Sequence, residues 1–403
     1  MKDKIVLAYS GGLDTSVSIK WIQDNYKVDV ITVTLEIGQQ VDLKSIGKKA
    51  EKIGALKHYG IDARDEFAQK YAFQALKANA LYEGKYPVSS ALSRPLIASK
   101  IVEVAKKEGA IGVAHGCTGK GNDQVRFDIT IKSLGPDLQI IAPVREWQLT
   151  RDSEIKYASE HKIPVPVDLD SPYSTDENLW GRSIECGVLE LPDHEPPEEI
   201  FEWTVAPEEA PDQPEYVSIA FEEGIPKAIN GKALDPVTLI TTLNKIGGKH
   251  GVGRIDHMED RVIGIKSRET YECPGSTMLL EAHADLEKSV LTRHEVLFKQ
   301  QIDAMWTYLI YAGLWMEPLK TDLDAFINET QKHVTGEVKL KLYKGSARVV
   351  GRKSPFTLYD LNLATYEGVS TFDQSHSPGF IELWGLPTRA ANVLKQKKLQ
   401  SKV

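Results

Sequence analysis

The chain has 403 residues, with 49 Lys and Arg against 57 Asp and Glu and a net charge of −8. The acidic balance argues against a nucleic-acid binder, whose footprint is basic, and 41% hydrophobic residues suit a globular protein with a core of its own and about two or three domains. No apolar run approaches the ~18–20 residues of a membrane span, no leader precedes the first strand, and Cys117, Cys186 and Cys273 form neither a CxxC pair nor a Cys/His cluster, so the expectation is a cytoplasmic protein with reduced thiols and no dedicated metal site.

Ile5–Tyr9 reads as a buried strand, followed by a helix over Asp14–Asp24. Val28–Leu35, rich in Val, Ile and Thr, reads as a second strand. Helical stretches follow at Leu43–Ile53, Glu66–Leu81 and Pro95–Lys107, with short buried strands at Ile111–His115 and Gln139–Ala142. Strands alternating with helices imply crossovers and a parallel sheet covered on both faces. The first domain, 1–165, is therefore expected to be α/β and doubly wound, with its ligand at the carboxyl ends of the strands.

The character changes after Pro164-Val165-Pro166. Residues 192–215 hold nine acidic residues and six prolines with no Lys or Arg, a composition for a surface excursion or linker. Tyr216–Phe221 with Lys227–Ile229, and Val338–Tyr343 with Ala347–Gly351, read as hairpins. Helices are expected at Pro236–Ile246, Thr277–Leu291, His294–Tyr311 and Asp322–Val334. This mix points to an α+β second domain, 166–361. The remainder, 362–403, ends in Trp384–Val403, which carries five Lys and Arg and no acid. Arg389–Leu399 there reads as a basic amphipathic helix, either solvated or serving as an arm.

Two loops carry the chemistry. Ala8-Tyr9-Ser10-Gly11-Gly12-Leu13-Asp14-Thr15-Ser16 joins the first strand to the first helix. Glycines permit a sharp turn and close approach to a ligand. The first helical amides lack intrahelical partners and attract an anion. Ser10, Thr15 and Ser16 add hydroxyls. The loop fits neither GxxxxGK[ST] nor GxGxxG. The second loop, His115 to Phe127, places Gly116, Gly119 and Gly121 beside Thr118, Asn122, Asp123 and Arg126. It offers an acceptor for an ammonium and donors for a carboxylate, as an amino-acid ligand requires.

The motif SGGxDTS after IVLAY resembles the PP-loop of the N-type ATP pyrophosphatases, which split ATP into AMP and pyrophosphate. HGCTGKGNDQVRF is similar to the aspartate- and citrulline-binding segment of the argininosuccinate synthase family. The same pattern recurs in YEGKYP, PYSTDENLWGRS, HGVGRIDHMEDRVIGIKSRETYECPG, KLYKG and VVGRKSP, in order along most of the chain. The resemblance implies an AMP-forming carbon–nitrogen ligase that joins L-citrulline to L-aspartate through a citrullyl-AMP intermediate. Ala8 to Ser16, Leu35 and Gly116 would bind ATP, whose phosphates carry Mg²⁺. Thr118, Asn122 and Asp123 would hold aspartate. Tyr86, Ser90, Asn122, Arg126, Ser174, Ser183, Glu259 and Tyr271 would hold citrulline. Asp14, Asp123 and Arg126 are the candidates nearest the reacting atoms, and no dedicated base is evident beyond the weaker candidates His115 and Asp14. Two positions depart from the family pattern: Ala91 stands where a serine is common, with Ser90 as its substitute, and Leu35 replaces a small adenine-side residue. A homotetramer with the C-terminal tail as arm is also implied.

Two other readings compete. Another PP-loop ligase, such as a tRNA sulfur transferase, would favour paired cysteines and a basic face. A non-catalytic nucleotide-binding protein would need no second and third ligand site.

Overall fold

The structure is a computed structural model that describes residues 2–147, 151–164, 172–368 and 370–400, with the backbone alone at 151 and 152. It divides into two compact units, Met1–Phe356 and Thr357–Val403. The boundary expected at 165/166 lies outside the described residues.

The larger unit begins with a five-stranded parallel sheet in the order β3-β2-β1-β4-β5. Its strands are β1 (Lys4–Ala8), β2 (Asp29–Glu36), β3 (Lys57–Asp62), β4 (Gly112–Ala114) and β5 (Gln139–Ile141). Ile5, Val6 and Leu7 are wholly buried, as are Val30 and Ile31, because helices cover both faces. Among those helices are α1 (Leu13–Tyr26) and α2 (Leu43–Ile53), both expected from the pattern. The order reverses between β1 and β4. A crevice opens at their carboxyl ends, where open α/β sheets bind ligands.

Several elements differ from expectation. β3 was not foreseen, since Lys57-His58-Tyr59-Gly60-Ile61-Asp62 is half exposed at the sheet edge and lacks an apolar run. The helix expected from Pro95 starts earlier and spans Ser89–Glu108. Pro95 sits inside it and forfeits a single hydrogen bond, to the Ala91 carbonyl. The stretch expected over Glu66–Leu81 runs through Arg64–Glu66, a π-helical turn Phe67–Ala72, and Phe73–Lys77.

Two antiparallel sheets complete this unit. One has the order β11-β12-β7-β6, from β6 (Ser174–Asn178), β7 (Gly181–Glu185), β11 (Arg254–Asp260) and β12 (Lys266–Glu272). The other has the order β10-β9-β8-β13-β14, from β8 (Glu215–Glu222), β9 (Ile225–Ile229), β10 (Lys232–Ala233), β13 (Gly336–Tyr343) and β14 (Ser346–Lys353). The second sheet contains both expected hairpins. The first was not foreseen, because its strands are rich in charge.

The acidic, proline-rich stretch is ordered by a buried carboxylate. Glu272 is fully buried on β12. It accepts from the backbone amides of Glu202 (3.1 Å), Trp203 (2.8 Å) and Thr204 (2.8 Å), and from Arg182 Nη1 at 2.9 Å. A charge so buried persists only when paired and hydrogen-bonded.

Among its described residues the smaller unit has the α-helices Leu361–Ala364, Ser377–Trp384 and Leu386–Gln400, the last containing the expected Arg389–Leu399, and a 3-10 turn at Gln374–His376. Phe380, Ile381, Leu383 and Trp384 are exposed in it. Among the described residues no helix is long and apolar enough to cross a membrane.

Candidate active site

The turn after β1 forms the first wall of the site. Gly11 takes a φ of +84°, which a side chain would strain. Gly12 precedes α1, and no side chain caps that helix, so its first amides stay directed at the crevice. Ser10 Oγ lies 3.0 Å from Thr15 Oγ1, and Lys49 on α2 donates to the Gly11 carbonyl at 2.6 Å. Lys49 was not singled out from sequence. Burial lowers its pKa.

The turn after β4 forms the opposite wall. A Cβ on Gly116 would lie 3.2 Å from Thr15 Cγ2, a tight contact that would narrow the gap between the two loops. His115 accepts from the Cys117 amide through Nδ1 (3.2 Å), which leaves Nε2 as the donor to Asp128 Oδ1 at 2.8 Å. Both ring nitrogens are thus engaged, and His115 is not a free base. Burial pushes the Cys117 thiol up, away from thiolate chemistry.

The helix Asp123–Leu134 follows. Its first residue, Asp123, is held by two guanidiniums: Arg126 Nη1 reaches Oδ1 at 2.9 Å, and Arg94 Nε reaches Oδ2 at 2.8 Å. Burial raises the Asp123 pKa, but Arg94 and Arg126 outweigh it and hold the carboxyl below the usual range. Arg94 also reaches Asp176 Oδ1 at 3.1 Å. Arg126 donates twice more to the Tyr311 carbonyl, at 3.1 and 3.0 Å. Asn122 donates to Tyr311 Oη at 2.9 Å and accepts from the Val262 amide at 2.9 Å, which leaves one N–H and one lone pair for a ligand.

The β11-β12-β7-β6 sheet supplies the third wall. Ser174 pairs with Glu185, and Ser183 with both Asp176 and Tyr271. Side chains alternate faces along a strand, so Ser183 and Glu185 share a face of β7. Glu259 is 2% exposed. It accepts from Tyr271 Oη at 2.8 Å and Tyr311 Oη at 2.5 Å. Burial pushes its pKa up to about 7, against the hydrogen bond from Tyr311 and with help from the charge of Glu269. Tyr86 stacks on Tyr271 with ring centroids 4.1 Å apart and accepts from the Ser90 amide at 2.8 Å. Ser90 Oγ lies 3.4 Å from Ser183 Oγ, while Ala91 is wholly buried.

These walls enclose a cavity of about 630 Å³. Of the residues singled out from sequence, Ala8, Tyr9, Ser10, Gly12, Leu13, Asp14, Thr15, Leu35 and Gly116 line it on one side. Tyr86, Ser90, Thr118, Asn122, Asp123, Arg126, Ser174, Ser183, Glu259 and Tyr271 line the other. Gly11 shapes the turn through its φ of +84°. One expectation needs correction. Ser16 is 1% exposed, with its hydroxyl 3.2 Å from Tyr9 Oη and its amide donating to Gly12, so it offers no hydroxyl to a phosphate. Arg94, Asp176, Glu185, Arg261 and Glu269 line the cavity too. Asp176 lies within the PYSTDENLWGRS segment and Arg261 and Glu269 within the segment that follows His250, but none of the five was singled out from sequence. The signal that could have found Asp176 and Glu185 is spacing, since each stands two residues beyond a singled-out serine, Ser174 and Ser183, on its own strand.

The chain matches two family models, the Arginosuccinate synthase N-terminal HUP domain over residues 4–164 and the Arginosuccinate synthase C-terminal domain over residues 173–391. It is 60% identical over 383 residues to the argininosuccinate synthase of Pyrococcus furiosus, covering 95% of this chain and 93% of that one. Its identity to the Geobacillus kaustophilus argininosuccinate synthase is 59% over 396 residues, with 98% and 97% covered. For the Geobacillus thermodenitrificans protein of that name the figures are 58% over 398 residues, 99% and 98%.

Proposed function

The chain belongs to the argininosuccinate synthase family, ligases of arginine biosynthesis that use ATP, and for the chemistry within this cavity we propose an AMP-forming route. A ureido carbon is a poor electrophile, because two nitrogens feed electron density into its carbonyl. Transfer of AMP to the ureido oxygen of citrulline turns that oxygen into a leaving group. The amine of aspartate then attacks the carbon and AMP departs. Pyrophosphate is the other product.

One relationship supports this reading above the rest. The loops after β1 and β4 flank the reversal of strand order, and they open into the same cavity as the Ser, Tyr and Glu face of the neighbouring sheet. In this reading the free amides at the start of α1, with Ser10 and Thr15, grip the outer phosphates. Leu35 and its neighbours Val33 and Ile37 form the apolar wall for adenine. Mg²⁺ arrives with the phosphates as part of the substrate, held by their oxygens. Thr118, Asn122 and Asp123 take aspartate. Arg126, Tyr86, Ser90, Ser174 and Ser183 surround citrulline, and Glu259 takes its ammonium. Positioning and electrostatic stabilisation carry the rate.

The reading extends to a cytoplasmic homotetramer, with the Thr357–Val403 unit as the arm. The exposed Phe380, Ile381, Leu383 and Trp384 support it, since apolar groups clustered at a surface mark contact sites.

The test is the nucleotide product. Citrulline carrying ¹⁸O in its ureido group should yield AMP with one labelled oxygen when aspartate and ATP are present. Formation of ADP, or of unlabelled AMP, would contradict the route.

A further inference from the structure

Seven carboxylates line the cavity, and their partners set most of them aside. Asp123 is clamped by Arg94 and Arg126, and Asp176 by Arg94. Glu259 is bonded to two tyrosines. Glu269 takes Arg261 Nη2 at 3.1 Å, and Glu177 is hydrogen-bonded to the Trp203 side chain. Asp14 is uncommitted, but it stands in the first turn of α1 on the nucleotide side. Glu185 remains. Its only cation among the described residues is Arg261 Nη2 at 3.8 Å, beyond hydrogen-bond reach.

Glu185 ends β7 on the face of Ser183, paired across to Ser174. It is thus on the amino-acid side of the cavity. We propose that Glu185 is the general base that takes a proton from the ammonium of aspartate. This rests on the ligation route given above. An ammonium has no lone pair and cannot attack carbon. The Glu185 carboxylate accepts one N–H proton and becomes a carboxylic acid. The freed lone pair forms the new C–N bond, and the C–O bond to AMP breaks with its electron pair leaving on the AMP oxygen. A second N–H proton passes to solvent as the guanidinium forms.

The surroundings suit the task. Burial pushes the Glu185 pKa up to about 7, the charges of Glu269, Asp123 and Asp176 push the same way, and Arg261 opposes them. The side chain is 47% exposed, so water screens part of this push. A base near neutrality is both ionised in good part and able to hold a proton.

The experiment compares full-length wild type with E185Q and E185D in two assays across pH 6–9.5. One is citrulline-dependent exchange of labelled pyrophosphate into ATP, which needs no aspartate. The other is argininosuccinate formation. E185Q should keep exchange within about threefold, which also reports a folded site, and lose ligation by about 100-fold or more at pH 7.5. Its residual ligation should climb steadily with pH as free amine appears, and E185D should recover part of the rate. Retained ligation with an unchanged pH profile in E185Q overturns the proposal. So does equal loss of exchange and ligation in both variants, which would make Glu185 a binding group. Failure of wild type itself to exchange would defeat the AMP route, and the base assignment with it.

Discussion

Arg94 and Asp123 meet side-on, with Arg94 Nε at 2.8 Å and Nη2 at 2.7 Å from the same carboxylate oxygen. The other Asp123 oxygen belongs to Arg126. Asp123 therefore organises two cations as much as it offers acceptor capacity to a substrate, and with Asp176 on Arg94 the two cations and two carboxylates balance in charge.

Replacing Arg94 with Lys keeps the charge but loses the planar fork that spans Asp123 and Asp176. One or two charged hydrogen bonds go slack, each worth about 1.5–3 kcal/mol. The KM for aspartate should rise by about 10- to 100-fold, with citrulline-dependent pyrophosphate exchange less affected. Steady-state kinetics with each substrate varied will check this.

Citrulline binding should depend on pH through Glu259. Its carboxyl titrates near 7 in the empty cavity. Below that pH it is neutral and a poor partner for an ammonium. Above it the carboxylate is available, so the KM for citrulline should fall as pH rises through about 7 and then level off. Binding at pH 7 should release a fraction of a proton, visible by calorimetry in buffers of different ionisation enthalpy. Glu259→Gln should abolish that release and flatten the profile.

Gly116→Ala places a methyl group 3.2 Å from Thr15 Cγ2, in the gap between the two loops. Overpacking of this kind costs about 1–3 kcal/mol. The expected result is a KM for ATP raised by about 5- to 100-fold, with the far-ultraviolet circular dichroism of the wild type.

Glu272→Ala strips a buried carboxylate from Arg182 and from three backbone amides. Removing one partner of a buried pair costs about 3–5 kcal/mol. Urea denaturation should show a loss of that order, and proteolysis should cut first within 192–215, the segment those amides anchor.

Deleting residues 384–403 removes Trp384 and the whole of the last helix, Leu386–Gln400. Light scattering should then report a particle smaller than the wild-type assembly. An unchanged mass would remove the arm from the account.

What could be read directly was local. Ile5-Val6-Leu7 and Val30-Ile31 are buried on both faces, so their strands show as unbroken apolar runs, and the parallel α/β domain followed. The Ser10–Thr15 turn, Gly116 and the Asn122–Arg126 segment were legible because a loop that meets a ligand with its own backbone must carry its chemistry in contiguous residues. The β11-β12-β7-β6 sheet was not legible. Its strands include Arg254-Ile255-Asp256-His257-Met258-Glu259-Asp260, and one face lines a polar cavity, so the apolar alternation that marks a strand is absent. Strand register alone brings Ser183, Glu185 and Tyr271 together, and packing of the Arg293–Tyr311 helix brings Tyr311 to Glu259. Arg94, Glu185 and Glu269 could be recognised only once each carboxylate had been assigned its cation. That pairing is settled by distances of a few ångströms between residues far apart along the chain, which tertiary packing alone decides.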